Sequence, residues 1–393
     1  MFTIRRASAH PAVAGLLAKS GLRAATGVAA VTALAFALTA CSSGSSAVST
    51  GAASVDAKTA TNAQAFGGID ALVTAAKAEG ALNVIALPDD WANYGKIIQA
   101  FKDKYGITVN SASPDASSAE EITAATSLAG QDTAPDVFDV GPVVALANTD
   151  KFAPYQVASW SDIPDTNKES TGLWVNDYTG LMSIGYNSNV VKTAPTSLND
   201  LLGADYKGKV AINGDPTQAG AAFAAVGLAT VQEGGTLDDF QPGIDYFQKL
   251  NKAGNFLTVD PGPATIASGE TPVVFDWSYN NLAASAATPG WKTTVLPGTA
   301  YGSYYNQAIS KDAPHPAAAR LWQEFLYGPD AQNLYLAAGA YPVLLAAMDK
   351  AGTSDKAAEA AVGAMPAKFV SPTSDQSTAA AALLSANWAT AIQ

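Results

Sequence analysis

The sequence predicts an α/β fold in which a mostly parallel sheet carries helices on both of its faces. Short runs of buried-strand character alternate with segments whose apolar residues recur at helical spacing, and this alternation is typical of strand–helix–strand units. The chain has 393 residues, of which 48% are hydrophobic and 14% charged. This composition excludes a mainly disordered chain and a polytopic membrane protein, and the length allows two or three domains.

The first 40 residues are predicted to be an export signal. Four basic residues and no acidic one are followed by an apolar run from Ala24 to Ala40, which is the order of a signal peptide. The sequence Leu38-Thr39-Ala40-Cys41 resembles the bacterial lipobox, in which the cysteine after the cleavage site is lipidated. Residues 41–70 begin with a stretch of small and polar residues and are predicted to form a flexible tether.

The remainder of the chain is expected to be strongly acidic. The formal charge of the whole chain is −12, and loss of the four basic residues of the signal changes it to −16. Such a charge disfavours nucleic acid and anionic membrane surfaces as partners. One cysteine and two histidines exclude an intramolecular disulfide and leave little for a multi-histidine metal site. We therefore expect no cofactor and no metal.

In the first half of the chain, the strand and helix signals follow one another closely. Apolar residues at helical spacing from Tyr94 to Tyr105, followed by Gly106, predict a helix and its end. Ser117 followed by Glu120 is typical of a helix start. The predicted strands are 82–87, 107–109 and 137–140, and the predicted helices are 94–105 and 117–129.

The second half continues the alternation. The predicted strands are 209–213, 272–276 and 293–296. A helix of small residues is expected after the first of these strands, a second one near 240–250, and a third one that opens at Pro314. Residues 367–380 are expected to be a loop, and a last helix is expected from about 379 to 391.

Acidic and aromatic residues recur where these strands end. In open α/β sheets, ligands bind beyond the carboxyl ends of the strands. Carboxylates pair with N–H donors and aromatic rings attract cations, so this combination favours a cationic or amine-bearing ligand. A competing interpretation is that single aspartates form turns and single rings belong to the core. The predicted ligand contacts are Asp89, Trp91, Asp139, Tyr178, Asp215, Asp276, Trp277, Tyr279 and Tyr304.

The sequence favours binding over catalysis. Motifs of serine hydrolases, P-loop NTPases, zinc proteases and thiol oxidoreductases are absent from the sequence. Arg320 is the only arginine after residue 40, so an anionic ligand could not be held by an arginine cluster. His315 stands between two prolines and is interpreted as structural. A surface-anchored hydrolase that uses paired carboxylates such as Asp89 and Asp90 remains the alternative from another class.

Several longer stretches resemble the ferric iron/polyamine/thiamine-type solute-binding proteins of bacterial ABC transporters, which have the type II periplasmic-binding-protein fold. The similarity covers about residues 80–345. The stretches are Gly180–Asn187, Pro195–Leu202, Tyr206–Val210, Ser268–Phe275, Gly302–Ile309 and Ala313–Leu326.

The resemblance implies two α/β lobes joined by crossover strands, with the solute between them. Lobe I would comprise residues 71–190 and 304–393, and lobe II residues 191–303. The protein would be a monomeric, lipid-anchored receptor on the extracytoplasmic face of the membrane, without enzymatic activity. It would deliver a small solute to a membrane permease driven by an ATPase.

The resemblance also bears on the ligand. Iron-binding relatives have two adjacent tyrosines in the loop that corresponds to Asp276-Trp277-Ser278-Tyr279, which holds one tyrosine here. The acids and rings of this chain are more similar to those of polyamine-binding relatives. A polyamine-like amine is therefore expected, and ferric iron, thiamine and aminoethylphosphonate remain alternatives.

Overall fold

The computed structural model of the protein describes residues 55–393. The predicted signal (1–40), Cys41 and the first part of the predicted tether lie outside the described residues. The strands are β1 (Ala81–Ile85), β2 (Thr108–Ala112), β3 (Val137–Val140), β4 (Phe152–Ala153), β5 (Val175–Asn187), β6 (Val210–Ile212), β7 (Val273–Trp277), β8 (Trp291–Thr294), β9 (Ala300–Ser310), β10 (Tyr341–Pro342) and β11 (Phe369–Val370).

Helices separate most of these strands. They are α1 (Ile69–Glu79), α2 (Tyr94–Tyr105), α3 (Ser118–Ser127), α4 (Pro142–Ala147), α5 (Gly220–Gln232), α6 (Gln241–Lys252), α7 (Pro263–Ser268), α8 (Ser278–Ala287), α9 (Pro316–Leu326), α10 (Pro329–Ala337), α11 (Leu345–Ala351), α12 (Lys356–Val362) and α13 (Ser374–Ala391). None of the helices in this part of the chain is both long and apolar enough to cross a bilayer.

One long strand, β5, connects the two groups of strands. The first part of β5 pairs with β9, from Val175 opposite Gln307 to Leu181 opposite Gly302. From Met182 onward, β5 pairs instead with β7 and β8. A single strand thus passes from one group of strands to the other, as expected for the crossover of a two-lobed fold.

Strand pairs that a helix connects are parallel, and so is the short pair of β9 with β11, whereas the other pairs of β5 and β9 are antiparallel. β1 pairs in parallel with β2, and β6 pairs in parallel with β7. The pairs that β5 and β9 make with each other and with β3, β4, β7, β8 and β10 are antiparallel. The α/β class is confirmed. The antiparallel pairs arise because a chain that crosses between lobes and returns must run in opposite directions.

Two helices begin two or more residues away from their predicted starts. α9 begins at Pro316 rather than Pro314, because His315 occupies the cap position and its backbone N–H donates to Asp136 at 2.7 Å. The last helix begins at Ser374, inside the stretch predicted as a loop. Its N-cap, Thr373, forms a capping box with Gln376, which allows an alanine-rich segment to start a helix there. α13 packs against α6 and α4.

Residues before α1 are fixed to the body of the protein. Ala60 and Ala63 are buried. The guanidinium group of Arg320 donates to the carbonyls of Lys58 (2.8 Å) and Ala60 (2.6 Å), and to that of Pro316 in its own helix (2.9 Å). The described part of the predicted tether, 55–70, therefore packs on the surface of the protein.

Candidate ligand-binding site

A cavity of about 820 Å³ opens between the two groups of strands. One wall comes from the loop after β1, the end of β3 and the first turn of α3. The opposite wall comes from the loop after β6, the start of α5, the end of β7 and the helices α7 and α8. The cavity thus lies at the carboxyl ends of β1, β3, β6 and β7, where the fold class predicts a ligand. Its volume is in the usual range for small-molecule sites.

The lining of the cavity is acidic. Among the described residues that line it, none is a lysine, an arginine or a histidine. A cavity with this charge attracts cations and repels anions. Eight lining residues carry a carboxyl group, namely Asp90, Asp115, Glu120, Glu121, Asp139, Asp215, Asp260 and Asp276.

Among these carboxyl groups, that of Asp139 stands out because it is buried and its two oxygens have different surroundings. The residue is only 5% exposed. Its Oδ2 accepts hydrogen bonds from the hydroxyls of Tyr94 (2.8 Å) and Tyr178 (3.3 Å), whereas its Oδ1 is buried and has no hydrogen-bond partner in the described part of the chain. A buried carboxylate oxygen without a partner is costly. Since Asp139 lines the cavity, a donor from a ligand would satisfy it.

A bulge in β5 places two consecutive side chains behind Asp139. The register between β5 and β9 shifts between Asn176 and Thr179, and Asp177 and Tyr178 lie in this irregularity. In a regular strand their side chains would point to opposite faces. Here both contact Tyr94, by a hydrogen bond to Asp177 at 3.2 Å and by ring packing with Tyr178 at 6.2 Å. The bulge thus lets Asp177 and Tyr178 both contact Tyr94, the residue that donates a hydrogen bond to Asp139.

Asp276 ends β7 and is held by amide donors. It accepts hydrogen bonds from the backbone N–H of Trp277 (2.7 Å) and from the side-chain amides of Asn213 (2.9 Å) and Asn280 (3.1 Å). Burial nevertheless raises the pKa of Asp276 to about 6, against these hydrogen bonds and with the repulsion of Asp90. A cation near Asp276 would therefore lower that pKa and favour the carboxylate.

Aromatic rings form the base of the cavity. Trp91 and Tyr305 both line it, and their rings meet edge to face with centroids 5.7 Å apart. The indole N–H of Trp91 donates to the hydroxyl of Tyr178 at 2.7 Å. Tyr279 packs edge to face on Trp91 at 5.8 Å. These contacts fix the ring of Trp91 in one orientation, with part of its surface in the cavity.

The two sides of the cavity come into direct contact at two glycines. A β-carbon placed on Gly220 would lie 3.3 Å from the Cα of Gly141 and 3.0 Å from the hydroxyl oxygen of Tyr305. Gly141 precedes α4 and Gly220 begins α5. Because neither residue has a side chain, the backbones of the two sides can approach closely at this point.

At the N-terminus of α3, which lies in the cavity wall, a carboxylate of the protein itself already accepts a backbone N–H. Ser117 and Glu120 form a capping box at the N-terminus of α3, in which the Glu120 carboxylate accepts the Ser117 backbone N–H at 2.7 Å. An anionic ligand could not use these N–H groups without displacing that carboxylate. The local arrangement therefore also disfavours an anion.

A further part of the wall is apolar and smooth. It consists of short side chains from α7 and α8, which offer a methyl-covered surface to the methylene or ring carbons of a ligand. Its members are Ala264, Ile266, Ala267, Ala283, Ala284 and Ala287.

Four of the nine predicted contact residues line the cavity, namely Trp91, Asp139, Asp215 and Asp276. Asp215 is exposed, and its Oδ1 accepts the backbone N–H and the hydroxyl of Thr217 at 2.8 and 2.7 Å. It thus also forms the turn that the competing interpretation predicted for a strand-end aspartate.

The other five predicted residues do not line the cavity. Asp89 is exposed outside it and Asp90 lines it instead, because the loop after β1 follows an irregular path with positive φ at Ala86, Ala92 and Asn93. Tyr304 lies on the opposite face of β9 from Tyr305, which lines the cavity, as the period of a strand requires. The remaining three, Tyr178, Trp277 and Tyr279, are fully buried behind the lining.

Sequence reasoning missed Glu121 as a member of the wall. Its side chain is 1% exposed, and it accepts the backbone N–H of Asp139 at 3.0 Å. A signal was present in the sequence, since Ser118, Glu121 and Ile122 share the buried stripe of α3. An acid within an apolar stripe at helical spacing indicates a buried carboxyl group with a specific role.

The fold and this cavity together define a solute-binding protein of the two-lobed periplasmic type. The profile of the family described as bacterial extracellular solute-binding protein matches residues 132–364, which is more than half of the chain. The chain belongs to that family. This confirms the family that the sequence motifs predicted. No curated protein sequence matches the chain.

Solved structures of the same fold are distant in sequence. An ABC transporter substrate-binding protein from Bradyrhizobium japonicum is 16% identical, with a TM-score of 0.62 over 80% of this chain and 100% of that one. A putative spermidine/putrescine ABC transporter protein from Listeria monocytogenes is 14% identical, with a TM-score of 0.58 over 79% and 99%. The apo ferric ion-binding protein A of Pasteurella haemolytica is 18% identical, with a TM-score of 0.55 over 78% and 95%. These similarities establish the fold.

Proposed function

We propose that this protein is a lipid-anchored receptor of an ABC importer, which captures a small cationic or zwitterionic amine, polyamine-like by preference, and delivers it to a membrane permease. The signal at 1–40, lipidation at Cys41 and the two lobes at 71–190 with 304–393 and at 191–303 belong to this proposal. The observation that carries it is the cavity lined by eight carboxyl groups, with no basic side chain among the described lining residues.

The geometry suits an ammonium group near Asp139. Asp139 lines the cavity, and its Oδ1 is a buried acceptor with no partner among the described residues. Trp91 and Tyr305 line the same cavity and offer aromatic surface. A hydrogen bond between an ammonium and a carboxylate is stronger than one between neutral groups. The aromatic faces add cation attraction of about 0.5–2 kcal/mol.

The outer part of the cavity suits the rest of an amine. The alanine-rich surface of α7 and α8 can cover a methylene chain, while Asp276, Asp215 and Asp260 lie in the same cavity and can pair with a second nitrogen. Within residues 55–393, no three His, Cys, Asp or Glu side chains are arranged as a metal-binding group. The carboxyl groups and the apolar surface in one cavity therefore suit an organic cation.

The proposal is tested by calorimetric titration and thermal unfolding with putrescine, spermidine, thiamine, aminoethylphosphonate and ferric citrate. We expect an amine to bind with one-to-one stoichiometry and to raise the unfolding temperature. In the Asp139→Asn variant, loss of a charged hydrogen bond of about 1.5–3 kcal/mol should weaken amine binding by about 10- to 150-fold. Asp89→Asn, which removes a nearby exposed carboxylate outside the cavity, should leave binding unchanged.

Stabilisation by ferric citrate, thiamine or the phosphonate alone would refute the amine preference and leave the receptor role intact. Turnover of a glycoside or phosphoester by the purified protein would instead favour the hydrolase alternative and contradict the receptor role.

A further inference from the structure

Two buried carboxyl groups share one hydroxyl at the base of the cavity. Asp139 is 5% exposed and Asp177 is fully buried. The hydroxyl oxygen of Tyr94 lies 2.8 Å from Oδ2 of Asp139 and 3.2 Å from Oδ2 of Asp177. Because a phenol carries one proton, Tyr94 can donate to only one of the two carboxyl groups at a time. The second carboxyl group can still form a hydrogen bond with the Tyr94 oxygen if that carboxyl group is protonated and acts as the donor.

The other donors around this pair are neutral. The side-chain amide of Gln307 donates to Asp177 at 3.0 Å and to the Tyr94 oxygen at 2.8 Å. The Tyr335 hydroxyl lies 3.2 Å from the Tyr94 oxygen and 3.4 Å from Asp177. The backbone N–H of Tyr178 donates to Oδ1 of Asp177 at 2.7 Å.

The titratable groups that face the pair from the surrounding elements are phenols and acids. In the described residues, the groups that act on Asp139 or Asp177 through hydrogen bonds or charge include no lysine, arginine or histidine. They are Tyr94 of α2, Glu121 of α3, Tyr178 of β5, Tyr279 of α8, Tyr305 of β9, Tyr327 after α9 and Tyr335 of α10. Two carboxylates without a counter-charge are unfavourable in a buried site.

The electrostatics agree with a retained proton. Burial raises the pKa of Asp177 to about 7. Burial and the neighbouring Asp177 raise the pKa of Asp139 well above its usual range. Both shifts favour retention of a proton by the pair.

We propose that the Asp139–Asp177 pair holds one proton in the empty receptor and releases it to solvent when a cationic group of the ligand binds Oδ1 of Asp139. The arriving positive charge replaces the departing proton, so the net charge of the site is conserved. Asp177 and Tyr94 act as positioning residues that do not line the cavity. They make capture of the cation depend on pH. This inference rests on the proposed function, since it requires an amine that binds in this cavity.

The proton is measured by titrating the full mature chain with spermidine in buffers of different ionisation enthalpy, at pH values from 6 to 8. Aliphatic amines stay protonated in this range, so any proton released comes from the protein. We expect release of about one proton per amine at the low end, and an affinity that rises by up to about tenfold per pH unit until the pair is ionised.

The variant Asp177→Asn removes the second carboxyl group and should abolish the proton release at pH 7, where Asp276, with a pKa of about 6, is already mostly ionised, while amine binding persists. Tyr335→Phe keeps both carboxyl groups and should retain proton release. Binding of spermidine with no proton exchange and no dependence on pH would overturn this inference and leave the proposed function standing. The absence of any amine binding would instead defeat both. The wild-type measurement decides the matter even if Asp177→Asn fails to fold.

Discussion

Arg320 is buried and forms no ion pair with an acid within residues 55–393, and its removal has a predictable effect. Its side chain is 1% exposed, and its guanidinium group lies 5.7 Å from the ring centre of Tyr155. The donors point at the carbonyls of Lys58 and Ala60, which belong to the segment before α1. Burial lowers the pKa of Arg320 to about 10, so the group stays charged at neutral pH. Arg320 thus attaches the segment before α1, through Lys58 and Ala60, to α9.

The loss in free energy of unfolding on removal of Arg320 can be worked out from its three hydrogen bonds. Bonds from a charged donor contribute about 1.5–3 kcal/mol each. Ala60 is buried, Pro316 is half-buried and Lys58 is exposed, so water can replace the guanidinium at Lys58 more readily than at Ala60. Relief of the buried charge offsets part of the loss. We expect Arg320→Met to lower the free energy of unfolding by about 2–3 kcal/mol. Arg320→Lys keeps the charge but loses the forked arrangement of donors. Its free energy of unfolding should lie between those of wild type and Arg320→Met.

The effect is measured by urea unfolding and by amide hydrogen exchange. In Arg320→Met, exchange in residues 56–66 should accelerate by roughly 30- to 150-fold, because that is the ratio corresponding to 2–3 kcal/mol. Exchange in β5 and β9 should change only with global stability. If Arg320→Met leaves both the unfolding midpoint and the exchange of residues 56–66 unaltered, this reasoning about Arg320 is wrong.

Two other predictions concern pH and closure. The hydrogen bond with Asp136 raises the pKa of His315 above its usual 6.5, so the pairing stabilises the fold below that pH and loses its effect as pH rises through the raised value. The stability difference between wild type and His315→Asn should therefore be about 1 kcal/mol at pH 6 and decline toward pH 9 in urea titrations; a difference that grows with pH would contradict this. Gly220→Ala places a methyl group 3.3 Å from the Gly141 Cα, and overpacking of about 1 kcal/mol should weaken spermidine binding about fivefold. Gly328→Ala, whose methyl group meets a backbone oxygen at the same 3.3 Å but outside the cavity, should bind as wild type. Equal affinities of the two variants would refute the argument that binding needs the close approach of Gly141 and Gly220.

The sequence was most informative where a local pattern dictates local structure. The helix 94–105 was predicted from the spacing of Tyr94 and Phe101 and from Gly106, and it has these bounds in the structure. The strand 137–140 was likewise predicted with its observed bounds. The start of α13 was missed, because the capping box of Thr373 lies in a stretch without apolar periodicity.

The site was predicted only in part, since a residue's position after a strand does not fix its direction. Asp139 and Asp276 were predicted as contact residues and line the cavity. Each lies near the end of a short buried strand, where the strand geometry restricts the direction of the side chain. Asp89 and Asp90 are adjacent, and only the irregular loop after β1 decides which of them faces the cavity.

The amino-acid sequence by itself determined the class of this protein: the alternation of strands and helices, the crossover motifs and the acidic and aromatic residues at strand ends. The alternation and the strand-end residues are properties of neighbouring residues and can be read from composition and periodicity, whereas the crossover motifs were identified by their resemblance to a known family. Only the tertiary structure decided that Asp177 lies behind Asp139. That pairing depends on a bulge in β5 and on Tyr94 from a helix 83 residues earlier in the chain. Contacts between distant segments depend on the packing of the whole fold, which no local pattern contains.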